Sequence, residues 1–121
     1  MKTKHPESEF QRACVLWFRL QYPKYRRLLL KISNEGKRSK ALGGIMRAEG
    51  LVCGTPDLFL AMANSERYGL FIEMKAPGGK LSPEQNIQIP ILQGENYQVE
   101  VCYSLDQFMQ IINDYIKDYE K

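Results

Sequence analysis

Gly54-Thr55-Pro56-Asp57-Leu58-Phe59-Leu60-Ala61-Met62 and Gly69-Leu70-Phe71-Ile72-Glu73-Met74-Lys75 flank the polar stretch Ala63-Asn64-Ser65-Glu66-Arg67-Tyr68. The runs Asp57–Met62 and Gly69–Lys75 are short and apolar, as strands are, and the segment between them reads as a turn. Two strands this close predict an antiparallel hairpin. Side chains alternate along a strand, so Phe71, Glu73 and Lys75 share one face, and Leu70, Ile72 and Met74 take the other. A turn centred near Ser65 sets Asp57 opposite Glu73. That register gathers two carboxylates and an ammonium at one place. Pro77-Gly78-Gly79 closes the second strand.

The flanking sequence supplies helices. Ser-x-x-Gln, a helix-start pattern, occurs at Ser8–Gln11, Ser82–Gln85 and Ser104–Gln107. The Ser caps the third amide and the Gln reaches back to the cap. The first helix is expected from about Glu9 to Gln21, with Phe10, Ala13, Cys14, Trp17 and Phe18 on one face. Leu28, Leu29, Leu30 and Ile32 suggest a short strand. A polar, basic loop follows (Ser33-Asn34-Glu35-Gly36-Lys37-Arg38), then a helix over Lys40–Glu49 ended by Gly50. The Ser82 helix has Pro83 at its favoured first position, and Pro90 is expected to kink or shorten it. Gln98–Tyr103 reads as a last strand. Leu105, Phe108, Met109, Ile112, Tyr115, Ile116 and Tyr119 form the apolar face of a last helix, expected to be core. The order α-β-α-β-β-α-β-α predicts an α/β domain spanning residues 1–121, a mixed sheet flanked by helices.

Composition narrows the chemistry. A hydrophobic fraction of 44% suffices for a core, so disorder is not expected. The formal charge of +3 permits a nucleic-acid partner without requiring one. Cys14, Cys53 and Cys102 lack CxxC spacing and sit in apolar runs, which reads as three reduced core thiols in a cytoplasmic protein. His5 is the sole histidine, which disfavours His-based acid–base chemistry and His/Cys zinc sites. No apolar run is long enough to span a membrane, and the first residues lack the apolar centre of a signal peptide.

Two carboxylates can hold a hard divalent cation such as Mg²⁺, or Mn²⁺, which accepts the same oxygen ligands. Such a cation polarises a phosphoryl oxygen and activates a bound water, and a lysine orients that water or stabilises developing charge. Plainer readings stand beside this one. Asp57 serves as a turn carboxylate after Pro56. Glu73 and Lys75 sit on the solvated face of an edge strand. Glu9 answers the helix dipole, with Glu7 as a competitor, and Gln85 is a capping partner. Asn34, Lys37, Arg38, Lys40 and Arg47 form a polar, basic cluster that is either a solvated surface or a DNA-phosphate contact. Lys24, Arg26, Arg27 and Lys31 form a second patch with the same two readings.

Gly54-Thr55-Pro56-Asp57, Glu73-Met74-Lys75 sixteen positions on, and Leu81-Ser82-Pro83-Glu84-Gln85 together resemble the PD-(D/E)xK nucleases. More narrowly they resemble the VRR-NUC domain in its stand-alone phage and bacterial form, over nearly the whole chain. The resemblance implies a restriction-endonuclease-like core with a catalytic hairpin. It implies metal ligation by Asp57, Glu73 and the Met74 backbone carbonyl, with Glu9 completing the shell directly or through water. Lys75 is then the catalytic lysine, and Gln85 supports it or the attacking water. The implied substrate is DNA, branched and including Holliday junctions, cut by a homodimer. The competing expectation is a non-catalytic DNA-binding module on the same fold.

Overall fold

In the computed structural model, residues 6–32 and 40–121 are described, except for the side chains of residues 40–42. The elements are α1 (Pro6–Gln21), a 3-10 turn (Pro23–Tyr25), β1 (Leu29–Lys31), α2 (Lys40–Ala48), β2 (Leu58–Leu60), β3 (Leu70–Met74), α3 (Pro83–Gly94), β4 (Gln98–Cys102) and α4 (Leu105–Tyr119). They follow the order expected from the sequence. The sheet runs β1-β2-β3-β4. Its first two pairings are antiparallel, and β3 with β4 is parallel. A parallel neighbour needs a crossover, and α3 supplies it.

Alternation along β2 and β3 sorts the side chains between the two faces. Leu58, Leu60, Leu70, Ile72, Met74 and Cys102 are buried together with Cys14 and Phe18 of α1 and Phe108, Ile112 and Ile116 of α4. On the opposite face Phe59 and Phe71 pack with ring centroids 4.4 Å apart, and Tyr97 meets Phe71 edge-on. Tyr115 is the polar group in the α4 layer. Its hydroxyl donates to the Met62 carbonyl at 2.5 Å.

The three Ser-x-x-Gln segments have different fates. Ser82 and Gln85 form the full reciprocal capping box. Ser104 Oγ accepts from the Gln107 amide, while Gln107 Oε1 reaches the Tyr103 amide instead. Ser8 is no cap, because α1 already begins at Pro6. Gly50, at φ 110°, ends α2 as expected: its amide bonds the Arg47 carbonyl and the Leu51 amide bonds that of Met46.

Two other expectations are corrected. Pro90 does not end α3, which continues to Gly94. Pro90 and Asn86 are both exposed, so water can take the Asn86 carbonyl that loses its partner. Cys53 is not a core thiol: it is exposed in the loop before β2, whereas Cys14 and Cys102 are buried. Among the described residues no helix is long and apolar enough to cross a membrane.

Candidate active site

The hairpin register sets the centre of the site. Leu58 pairs with Ile72, so one step further along the same register Asp57 falls beside Glu73. Asp57 is pinned there by its own side chain, since the Met74 amide donates to Oδ2 at 2.9 Å. Its carbonyl takes the Ile32 amide at 2.8 Å, tying the residue to the end of β1. The lead-in loop packs against the start of α3 at Gly54, where φ is +88°. A Cβ there would collide with the Glu84 carbonyl and stand 2.8 Å from the Gln85 nitrogen. Glycine at this position therefore lets the Asp57 loop approach the helix turn that carries Gln85.

Glu73 is 3% exposed. Lys75 Nζ stands 3.6 Å from its Oε2, and the lysine side chain is itself mostly covered. Glu73 Oε1 is buried and meets no hydrogen-bond donor. Burial, then the nearby Asp57 charge, push the Glu73 carboxyl up to about 8, against the opposing pull of Lys75. Asp57 is also raised, chiefly by burial, while the Met74 amide pulls it down. Burial raises both carboxyls, so the pair resists carrying two negative charges side by side. Gln85 is buried and serves two neighbours. Its Oε1 takes the Ser82 amide at 2.8 Å, and its side chain favours the charged form of Glu73.

These donors fit a hard divalent cation. Asp57 and the orphaned Oε1 of Glu73 are oxygen ligands, and Mg²⁺ is commonly held by one or two carboxylates with water filling the remainder. Among the described residues no cluster of three or more His, Cys, Asp or Glu could hold a metal, so the acidic set is the pair.

Helix α1 brings a different glutamate to this corner from the one singled out in the sequence. Glu7 Oε1 lies 3.4 Å from the Ala76 amide, and its charge pushes Asp57 up. Glu7 and Asp57 both line a trough of about 580 Å³ between α1 and β1, and Glu9 does not. Two helical positions separate the glutamates by roughly 200° around the axis, so one that faces Asp57 excludes the other. The apolar face of α1 held the signal that distinguishes them: Glu7 lies seven residues before Cys14, on the face that Cys14 and Phe18 bury, and Glu9 does not.

Of the expected phosphate contacts, Asn34, Lys37 and Arg38 lie outside the described residues, as does the Lys40 side chain. Arg47 is exposed in the last turn of α2 with its guanidinium beside Gly43, and it does not line the trough. Lys24 is engaged by Glu120 at 3.7 Å, whereas Lys31 lines the trough. Sequence reasoning passed over Arg12 and Arg19, which line it too.

A half-buried Asp beside a buried Glu and an adjacent lysine, on a hairpin backed by a glutamine-bearing helix, is the motif geometry the sequence implied. The VRR-NUC domain model matches residues 5–106. The chain belongs to the VRR-NUC domain family. A solved VRR-NUC domain protein is 26% identical and superposes with a TM-score of 0.77, covering 92% of this chain and 88% of its own. No curated protein matches the chain. The fold of this VRR-NUC chain is thus of nuclease type, a mixed four-stranded sheet flanked by helices.

Proposed function

We propose that this VRR-NUC protein is a metal-dependent DNA endonuclease whose reacting groups are Asp57, Glu73 and Lys75. One observation carries the reading: a glutamate buried to 3% exposure with one oxygen lacking any donor, beside a second raised carboxyl and a lysine. An unsatisfied buried carboxylate is costly, and a protein keeps one where a ligand will take it up. Asp57 and Glu73 would hold Mg²⁺ or Mn²⁺, with the Met74 carbonyl and water completing the shell and Glu7 as the nearest further acid. A cation so held would supply phosphoryl polarisation and a more acidic bound water.

The chain's own groups do the remaining work. Lys75, 3.6 Å from Glu73, orients the attacking water and faces the charge that grows on the phosphoryl oxygens. The Met74 amide fixes Asp57 against rotation. Gln85 steadies Glu73 from the rigid first turn of α3. For the substrate we assign branched DNA, four-way junctions included, cut by a symmetric homodimer. Its support is the family resemblance, and a two-fold substrate with two strands to cut matches a two-fold enzyme.

The test is cleavage of linear duplex, single strand, flap, fork and four-way junction with Mg²⁺ or Mn²⁺. Metal-dependent cutting of the branched members is expected, reduced by roughly 10²–10⁴-fold in Lys75→Ala. Tight DNA binding with no cutting under either metal would replace this reading with a non-catalytic DNA-binding module. Sedimentation that finds only monomer at working concentrations would remove the homodimer.

A further inference from the structure

The trough between α1 and β1 is charged in an ordered way. Its acidic members, Glu7 and Asp57, meet at one end. Lys31 is close to that end, because its neighbour Ile32 donates to the Asp57 carbonyl. Along α1 the lining continues through Ser8, Gln11 and Arg12 and reaches Arg19. At 1.5 Å per residue, Arg12 lies about 7.5 Å beyond Glu7 and Arg19 about 18 Å beyond it. Arg12 and Arg19 are exposed, and among the described residues neither side chain has an ion pair or hydrogen bond. Arg12 and Arg19 thus place two uncompensated positive charges along the stretch of the trough that leads away from the carboxyl pair.

We infer that this trough is the track for one strand of duplex DNA leading to the Asp57–Glu73 corner, with Arg12 and Arg19 taking two of its backbone phosphates. The inference rests on the proposed nuclease reading for the direction of travel. Cations along the path offset the repulsion between a phosphate and two carboxylates, and Arg12 and Arg19 supply them along this trough. Arg12 and Arg19 are seven residues apart on one helix face, about 10.5 Å, a span of roughly three base-pair steps if α1 lies along the duplex axis, where each strand's charges recur every 3.4 Å. A guanidinium presents a fork that matches phosphate oxygens, and one without a protein partner is free to do so. Contacts of this kind position a backbone without reading its sequence, which suits an enzyme that selects DNA by its structure.

The experiment is fluorescence anisotropy of a labelled 20-base-pair DNA duplex with the metal-free full chain, over a series of salt concentrations. Arg12→Gln and Arg19→Gln are each expected to weaken binding about three- to tenfold. Each should also take about one from the slope of log affinity against log salt, and the double variant should show both losses combined. Lys117→Gln, an exposed cation in the last turn of α4 outside the trough, should bind as the wild type does. Melting curves confirm that the exposed substitutions leave the fold intact. A double variant with wild-type affinity and slope overturns the track, as does a wild type that does not bind duplex DNA. Tighter binding to the RNA duplex of the same sequence overturns the choice of DNA. The two readings fail separately. Cutting that survives in the double variant, with binding unchanged, ends the track and spares the nuclease. Binding that depends on Arg12 and Arg19 in a chain that cuts nothing ends the nuclease and spares the track.

Discussion

Tyr115 and Glu73 are both buried polar side chains, at 2% and 3% exposure, and the protein treats them in opposite ways. Tyr115 sits in the layer between the sheet and α4, its hydroxyl bonded to the Met62 carbonyl. Burial raises its pKa to about 12, so it stays neutral and satisfied. Glu73 sits at the hairpin end with an oxygen lacking a donor and a second carboxyl beside it. The α4 layer satisfies its buried polar group internally, whereas the Asp57–Glu73 corner leaves a buried oxygen unsatisfied, at the place where we propose a cation binds.

The sharpest way to break that contrast is pH. A carboxyl with a folded value near 8 and an ordinary value of 4.5 binds its proton more tightly in the folded state. Its stabilising effect is complete below about pH 4.5 and is lost as pH rises through 8, because the native state then holds the extra proton. Asp57, also raised, acts in the same direction. Urea titrations of the metal-free protein should therefore show stability falling by up to several kcal/mol between pH 5 and 8. Glu73→Gln should flatten most of that slope. A wild type with equal stability at both ends would mean the corner carries no such charge conflict.

Tyr115→Phe examines the other member of the pair. It leaves the Met62 carbonyl without its donor and should cost about 1–2 kcal/mol, with no change in the pH slope. A loss that grew with pH would tie Tyr115 to the charged corner and blur the contrast. The smallest effect is expected at the cap. Ser82→Ala removes the acceptor for the Gln85 amide, and about 1 kcal/mol should disappear from chemical denaturation. Because Gln85 also favours the charged form of Glu73, the variant should raise the Glu73 carboxyl slightly further. An unchanged Glu73 titration by NMR would assign Gln85 a purely structural role.

The sequence by itself determined the element order, the antiparallel hairpin and its register, because those depend on local signals. A period-two apolar pattern, a turn centre near Ser65 and glycine-terminated helices act over a few residues. The Asp57–Glu73 juxtaposition follows from counting back from the turn, and the Ser82–Gln85 box from four adjacent residues. Where the expectations missed, a local rule met a competing local choice. Ser8 fell inside α1 instead of capping it, and solvent exposure let α3 run through Pro90.

Only the tertiary structure decided what depends on how distant segments pack. The angle of α1 against β1 brings Glu7 to Asp57, and aligns Arg12 and Arg19 with Lys31 along one trough. The same packing leaves Cys53 outside the core that takes in Cys14 and Cys102. A helix presents every azimuth to its surroundings, so its sequence states which residues could face a site. Which of them does so is fixed when Cys14 and Phe18 are pressed against the sheet.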